Sequence, residues 1–310
     1  ALTPSVAGVV VVAEDVEFLS TTLSYFAQAL QEGSDFAACD AVFGFEGDTA
    51  LYRGPKHLAG ARCAVLSRGL LEECRDVGCD LGQPGALLTL AAGRAQNPRH
   101  IPQALLRYRR EISAGDIFGE KDRRALLLSH ELNMTGAPIV AVSALPILQK
   151  LGYEVAVLGP SDGGSLPLFV EAGASVVTNP DCVTSSTLWG LATGCDFVLA
   201  NTVVEAEAIR MLNGGPVPVL WWLHDAFAGY GYIAHRVPKQ LAENIHVCAV
   251  GSHATAAMHS IRPDFFIRQL IYGLPDYAQE SFGTYDTGYA QGRPLFVNVG
   301  AFERRKGQDI

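Results

Sequence analysis

Three short stretches of the sequence place polar or charged side chains directly after apolar runs. In "VLWWLHDAFAGYGY", His224 and Asp225 follow an apolar strand, and a loop of glycine and aromatic residues comes next. A histidine in this position can hydrogen-bond a ligand hydroxyl or assist proton transfer. A histidine that only caps a strand end is the commoner case, so this stretch alone leaves its chemistry open.

The second stretch is "SHELNMTGAP", which follows another apolar run and contains His130, Gly136 and Ala137. Gly136 allows a ligand to approach the free amides at the start of the following helix, a position that favours an anion. A tight turn with a proline in the first helical turn explains the same residues equally well. The stretch lacks GxGxxG, so a dinucleotide site loses its main sequence support.

The third stretch, "LFVNVGAFERRKGQDI", ends the sequence and contains Gly300, Arg305 and Lys306. Fixed positive charges beside a glycine turn suit a diphosphate, although an isolated basic cluster is more often a solvated surface. The pattern leads into a helix that the sequence does not contain. We therefore expect the chain to be a truncated piece of a longer protein.

The elements that position these residues follow from the apolar pattern. Between residues 124 and 291, short apolar strands alternate with helices, which predicts an α/β fold with a Rossmann-like, doubly wound parallel sheet. Ligands of such sheets bind at the carboxyl ends of the strands. His130, His224 and Asp225 are predicted to lie at that edge.

Composition divides the chain and excludes several classes of protein. A charged stretch predicts a linker at 114–123, between a smaller mixed α/β segment (1–113) and the Rossmann-like domain (124–291), with 292–310 opening a further domain. The formal net charge of −9 argues against nucleic acid as a partner. Seven cysteines without a CxxC pair predict neither a disulfide framework nor a zinc site. We expect a cytoplasmic location, with peripheral membrane association left open.

In combination, the order and spacing of these motifs resemble the GT-B glycosyltransferases of family 4. The resemblance covers about residues 124–310 and includes "LIYGLPDYA" and the spacing from Gly300 to Lys306. It implies an enzyme of polysaccharide biosynthesis that transfers a sugar from a nucleotide sugar to a glycan or lipid acceptor, with retained configuration and no cofactor or metal. Most of the donor-binding domain is missing, so the chain by itself is expected to be inactive.

The same resemblance implies roles for the candidate residues. His224 would approach the donor sugar as the catalytic residue, and Gly136 would line the cleft near the donor phosphates or the acceptor. Three further residues are expected to bind substrate: Ala137, His130 and Asp225. Lys306, with Arg305 and Gly300, would bind the diphosphate. Ala301 departs from the family, because many members carry a second phosphate-binding arginine there, and Arg305 is a candidate substitute.

Residues 1–113 resemble the second half of a family 2 GT-A glycosyltransferase. "GVVVVAEDVEFLSTTLSYFAQAL" is similar to its metal-site strand and following helix, and "RHIPQALLRYRR" to its closing motif. The family's Asp-x-Asp aligns with Val12, Ala13 and Glu14, so Glu14 and Asp15 remain as the only candidate metal ligands. Two carboxylates supply too few ligands to hold Mg²⁺ or Mn²⁺ tightly. We therefore expect this segment to be a scaffold without a tightly bound metal.

Two other functions remain open on the sequence. A non-catalytic module, built from these glycosyltransferase-like parts, would hold an acceptor or a partner. A Rossmann-type epimerase or reductase is disfavoured by the missing glycine fingerprint. The sequence does not determine the sugar, the acceptor or the oligomeric state.

Overall fold

The computed structural model describes residues 6–44, 49–119 and 122–273. In these residues 13 strands form one sheet. The strands are β1 (Gly8–Val12), β2 (Glu17–Phe18), β3 (Phe36–Phe43), β4 (Thr49–Tyr52), β5 (Cys63–Ser67), β6 (Pro98–Tyr108), β7 (Arg124–Ser129), β8 (Glu154–Gly159), β9 (Ser175–Thr178), β10 (Phe197–Asn201), β11 (Val219–Leu223), β12 (Ile245–Ala249) and β13 (Ile267–Gln269).

The helices flank this sheet. They are α1 (Thr22–Gln31), α2 (Arg68–Asp76), α3 (Pro84–Arg94), α4 (Ala114–Ile117), α5 (Gly136–Lys150), α6 (Leu166–Glu171), α7 (Ser186–Ala192), α8 (Ala206–Leu212), α9 (Phe227–Ile233) and α10 (Ser252–His259). Over the described part of the chain, none of them has both the length and the apolar character that a membrane span requires.

The predicted Rossmann-like sheet is confirmed. Strands β7 to β13 are all parallel and lie in the order β9-β8-β7-β10-β11-β12-β13. Leu126 and Leu127 of β7 are fully buried in different apolar clusters, so the strand is covered on both faces. This double burial is why the apolar residues of β7 form a continuous run and do not alternate with polar ones.

The N-terminal segment forms the mixed α/β layer that the sequence predicts. β3 pairs antiparallel with β4 and β5 and parallel with β6, and β1 pairs antiparallel with β5. β4 also pairs antiparallel with β9, with Tyr52 opposite Val176, so one sheet runs through both parts. The predicted domain boundaries stay predictions.

The charged stretch at the predicted linker is more ordered than its composition suggests. Ser113 and Asp116 form a capping box at the start of α4. Both Asp116 oxygens accept hydrogen bonds from the Arg110 guanidinium, at 2.6 and 2.7 Å. Because the Asp116 side chain and Ile117 are buried, part of this stretch is interior structure and not an exposed edge.

The predicted loop after Asp225 is wrong, because Phe227–Ile233 forms helix α9. Gly229 and Gly231 disfavour a helix by about 1 kcal/mol each relative to alanine. Tyr230 and Ile233 are buried on one face of α9. Their burial stabilises the helix against its weak intrinsic propensity, as tertiary packing commonly does.

Candidate functional site

The strand order of the parallel sheet reverses between β7 and β10. β8 and β9 lie on one side of this pair, and β11 to β13 lie on the other. The two crossovers leave the pair in opposite directions, which opens a crevice beyond the carboxyl ends of the strands. His130 follows β7 and Thr202 follows β10, so each of the two strands is followed by a polar residue at this switch point.

The start of α5 forms one wall of the crevice. The N-cap residue Thr135 makes no side-chain cap, because its hydroxyl donates to Glu131 Oε1 at 2.5 Å. A Cβ added at Gly136 would meet no atom within 4 Å, so the space above this residue is open. Asn201 Nδ2 donates to the Ala137 carbonyl at 2.9 Å and ties the helix start to β10.

A carboxylate already lies beside this helix start. Burial alone would raise the pKa of Glu131, but hydrogen bonds from the Thr135 hydroxyl and the Asn133 amide lower it below its usual value. Glu131 is therefore charged at neutral pH. Its negative charge opposes a phosphate at Gly136 and is compatible with a ligand hydroxyl that donates a hydrogen bond.

His130 contacts both strands of the switch point. Its ring is 22% exposed, and its Nδ1 lies 3.3 Å from the Thr202 hydroxyl. Nε2 lies 3.7 Å from Glu131 Oε1. Burial lowers the pKa of His130, and the negative charges of Glu131 and Asp225 oppose that shift.

Thr202 has the backbone conformation least expected from its sequence. Its φ is +85°, the only positive φ among the non-glycine residues that the structure describes. Such a conformation costs a β-branched residue roughly 1–3 kcal/mol. Two contacts hold it in place: Trp221 Nε1 donates to the Thr202 carbonyl at 2.7 Å, and the Thr202 amide donates to the Trp222 carbonyl at 2.9 Å.

We expect Thr202→Gly to separate stability from ligand binding. Glycine adopts a positive φ without steric cost, so the free energy of unfolding should stay level or rise by up to about 1 kcal/mol. The variant loses the hydroxyl beside His130, so binding at the crevice should weaken. Urea unfolding and ligand titration on the same samples test this, with Thr193→Gly as a control on an exposed helix end. A large loss of stability would contradict the strain assigned to Thr202.

His224 and Asp225 directly follow strand β11, as predicted. Trp221 and Leu223 of this strand are fully buried, which fixes the position of the residues that follow. The His224 ring packs on the Trp222 ring with centroids 4.5 Å apart. Burial lowers the pKa of His224 to about 4, so the imidazole is neutral at neutral pH.

Asp225 faces back towards the switch point. Its Oδ2 accepts a hydrogen bond from the Val203 amide at 2.7 Å. Burial raises the pKa of Asp225, and the Val203 amide and the His130 charge oppose this rise. The side chain thus braces the turn after β10 and contributes a partly shielded negative charge to the crevice.

Two buried polar atoms, one at the end of β10 and one on the helix after β11, have no hydrogen-bond partner in the described residues. They are Oδ1 of Asn201, whose side chain is fully buried, and the Tyr230 hydroxyl on α9. Buried polar atoms are nearly always paired, so such atoms fit a position that a ligand or water completes. Of the two, the sequence points only to Asn201, because it stands at the carboxyl end of an apolar run.

The predicted diphosphate-binding residues cannot be compared with the crevice. Gly300, Arg305 and Lys306 lie outside the described residues. Within the described ranges, no group of three or more His, Cys, Asp or Glu side chains could hold a metal ion. The predicted absence of a metal stays a prediction.

The match to a known family falls on this same region. Residues 121–262 match the model of glycosyl-transferase family 4. The matched region begins just before β7 and includes the strands from β7 to β12 with the switch point between β7 and β10. No curated protein sequence is similar enough to match the chain.

Several solved glycosyltransferase structures are weakly similar. HepE of Anabaena, in complex with UDP and glucose, is 16% identical, with 48% of this chain and 44% of that chain covered at a TM-score of 0.37. MurG of Acinetobacter baumannii is 14% identical, with 43% and 42% covered at a TM-score of 0.27. The chain thus spans less than half of these structures, and similarity at this level carries no argument.

Proposed function

We propose that this chain is part of a glycosyltransferase that transfers a sugar from a nucleotide sugar to a glycan or lipid acceptor. The match of residues 121–262 to glycosyl-transferase family 4 carries the proposal. The switch-point crevice supports it, because the candidate residues His130, His224 and Asp225 follow two strands, β7 and β11, at one edge of the sheet. HepE, which was solved with UDP-glucose, illustrates the kind of donor that we propose.

We assign Gly136 and Ala137 to the acceptor side of the crevice. The open space above Gly136 admits a ligand, and the charged Glu131 beside it disfavours a second anion. An acceptor hydroxyl can donate to Glu131 while accepting from a helix amide. We assign the donor diphosphate to Gly300, Arg305 and Lys306, which the resemblance implies as its binding residues.

We assign His224 to the donor sugar. A neutral imidazole donates one hydrogen bond and accepts another, which suits a sugar hydroxyl. Its low pKa removes it as a proton donor in its charged form near neutrality. Catalysis would come mainly from electrostatic stabilisation of the departing diphosphate, with retained configuration at the sugar carbon.

The test is a screen of nucleotide sugars against the full-length gene product. Thermal shift reports donor binding, and released nucleotide reports hydrolysis or transfer. We expect at least one nucleotide sugar to raise the melting temperature and to release nucleotide, with more release when an acceptor is present. A complete panel without binding or release would rule the proposal out.

We propose a non-catalytic role for residues 1–113, as a GT-A-like scaffold. Glu14, the main candidate metal ligand, accepts hydrogen bonds from Arg62 and Arg110. Two guanidinium groups at this carboxylate would repel a divalent cation. Asp15 is exposed and does not complete a set of metal ligands with Glu14.

Manganese titration should therefore give no micromolar binding. The arginine contacts compete with the metal for the Glu14 oxygens, and no third ligand is in reach within the described residues. Isothermal calorimetry on the 310-residue chain measures this, with Glu14→Gln as the comparison. Micromolar affinity that disappears in Glu14→Gln would show that these carboxylates form a metal site.

A further inference from the structure

A small polar cavity lies on the N-terminal part of the sheet, away from the switch point. Its volume is about 50 Å³, and Asp40 of β3 and Arg53, just after β4, line it. Tyr52 pairs with Val176 near the start of β9, so the cavity lies towards the amino-terminal end of that strand. The proposed sugar-transfer residues lie at the carboxyl ends of the parallel strands, and none of them lines this cavity.

Asp40 lines this cavity and has one carboxyl oxygen without a partner in the described residues. The residue is 4% exposed. Its Oδ1 accepts hydrogen bonds from the Arg53 amide at 2.7 Å and from His100 Nε2 at 2.9 Å. Its Oδ2 is buried and has no partner in the part of the chain that the structure describes. One oxygen of the carboxyl is therefore held by two hydrogen bonds, and the other is enclosed without a partner.

Arg53 presents the complementary group. Its backbone amide is used by Asp40, but its side-chain Nε is buried and has no hydrogen-bond partner within the described residues. Buried arginine N–H groups without acceptors are costly, because the charged group has lost its water. Two residues that line the cavity thus carry unpaired buried atoms: an acceptor on Asp40 and a donor on Arg53.

The charges around the cavity balance. Two acids and two arginines line it: Asp40, Asp116, Arg53 and Arg62. Arg62 and Arg110 are both paired with Glu14 and Asp116. A phosphate or an ammonium group would upset this balance, whereas a neutral ligand keeps it. The charge pattern therefore favours a ligand that carries hydroxyl groups.

The walls and the size restrict the ligand further. Phe43 and Tyr108 stack with centroids 5.1 Å apart and form an aromatic wall. A volume of about 50 Å³ accommodates roughly three to five non-hydrogen atoms, since one water needs about 10–15 Å³. Exposed Gly60 also lines the cavity, so the remainder of a larger ligand can extend towards solvent.

We propose that this cavity binds the hydroxyl-bearing end of a neutral polyol or sugar, with Asp40 Oδ2 and Arg53 Nε as its hydrogen-bonding partners. A hydroxyl group both donates and accepts, so two adjacent hydroxyls satisfy both buried atoms at once. The carbon skeleton packs against Phe43 and Tyr108. The site does not depend on sugar transfer at the switch point.

Saturation-transfer NMR on the 310-residue chain tests this inference. The probes are glycerol, methyl α-glucopyranoside and 1,4-dioxane, which has ether oxygens but no hydroxyl donor. We expect the two hydroxyl probes to receive saturation and dioxane to receive none. Glycerol alone indicates a small polyol, and the glucoside as well indicates a sugar terminus.

Two variants and a matched control assign the signal to the cavity. Arg53→Met removes Nε and keeps the apolar stem, and Asp40→Ala removes both carboxyl oxygens. Each should weaken binding about tenfold, the effect of one hydrogen bond to a charged group. Arg75→Met, on the exposed face of α2, should leave binding unchanged. Thermal unfolding of each sample shows whether it is folded, and Arg53→Met carries the test if Asp40→Ala unfolds.

Three outcomes would overturn the inference. The first is no saturation of either hydroxyl probe at up to about 100 mM, a concentration that exceeds the Kd of most weak specific sites. The second is equal binding by folded Arg53→Met and the unaltered chain. The third is a crystal structure, soaked with glycerol, that shows ordered water only between Asp40 and Arg53.

Discussion

Replacing His224 with alanine is expected to lower kcat/KM of the full-length gene product far more than it lowers stability. Loss of one preorganised hydrogen-bond donor costs about 2–4 kcal/mol of transition-state stabilisation. The buried strand β11 holds the His224 backbone in place, so the loss of the side chain should mainly remove a contact to the donor sugar. Steady-state kinetics and thermal unfolding of the same samples measure the two effects.

Three comparisons sharpen this result. His224→Gln keeps a hydrogen-bonding group and should recover part of the activity. His246→Ala removes an exposed histidine near the amino-terminal end of the neighbouring strand β12 and should change neither quantity. Lys306→Ala should weaken nucleotide binding, because the diphosphate charge is present before and after transfer. If His224→Ala lowers only the melting temperature, His224 is a structural cap and the proposed role is wrong.

The dependence of stability on pH should also reflect the low pKa of His224. The group has a pKa of about 4 in the folded chain, against an ordinary value of 6.5. Its protonation therefore disfavours the folded state, and stability should fall as the pH drops from 6.5 to 4. Between pH 6 and 8 the imidazole stays neutral, so it should introduce no inflection into kcat/KM.

Glu205→Gln is expected to stabilise the chain at neutral and alkaline pH. Glu205 is 2% exposed, and burial raises its pKa from 4.5 to about 8. Between these two values the unfolded chain binds fewer protons than the folded chain, so stability falls as pH rises from 4.5 to 8. Glutamine has a similar shape and no charge to bury. The variant should therefore not lose stability over this pH range, a gain of roughly 2–3 kcal/mol over the unaltered chain at pH 7.

The measurement is urea unfolding of both proteins at pH 5 and pH 8. The difference between Glu205→Gln and the unaltered chain should be small at pH 5 and large at pH 8. Glu207→Gln, two residues along the same segment and paired with Arg210, is the control and should show no such divergence. Equal stability of Glu205→Gln and the unaltered chain at pH 8 would mean that Glu205 is charged and solvated.

Six of the seven parallel strands, β7 to β12, could be predicted because each is a short, mainly apolar run with a turn at its end. Burial on both faces removes polar residues from such strands, and the sequence records this directly. The same pattern placed His224 and Asp225 at the end of β11. It could not indicate α9, because glycines at 229 and 231 suggest a loop and the burial of Tyr230 depends on distant packing.

The most distinctive feature of the crevice, the conformation of Thr202, leaves no trace in the local sequence. Threonine has no preference for a positive φ, and the contacts that impose it come from the backbone and ring of residues about 20 positions away. Glu205 is similar, since its surroundings look like an ordinary helix start. Residues 300–306 were assigned from their resemblance to a family, and these assignments stay predictions.

The antiparallel pairing of β4 with β9 has a consequence for any shortened form of the chain. A version that begins near residue 122 would leave one side of β9 without its strand partner. Val176 and Val177 are fully buried and apolar, and no charge or proline protects this strand. An open strand of this kind recruits strands from other molecules. In the intact chain, β4 of the N-terminal segment pairs with this strand and closes that edge.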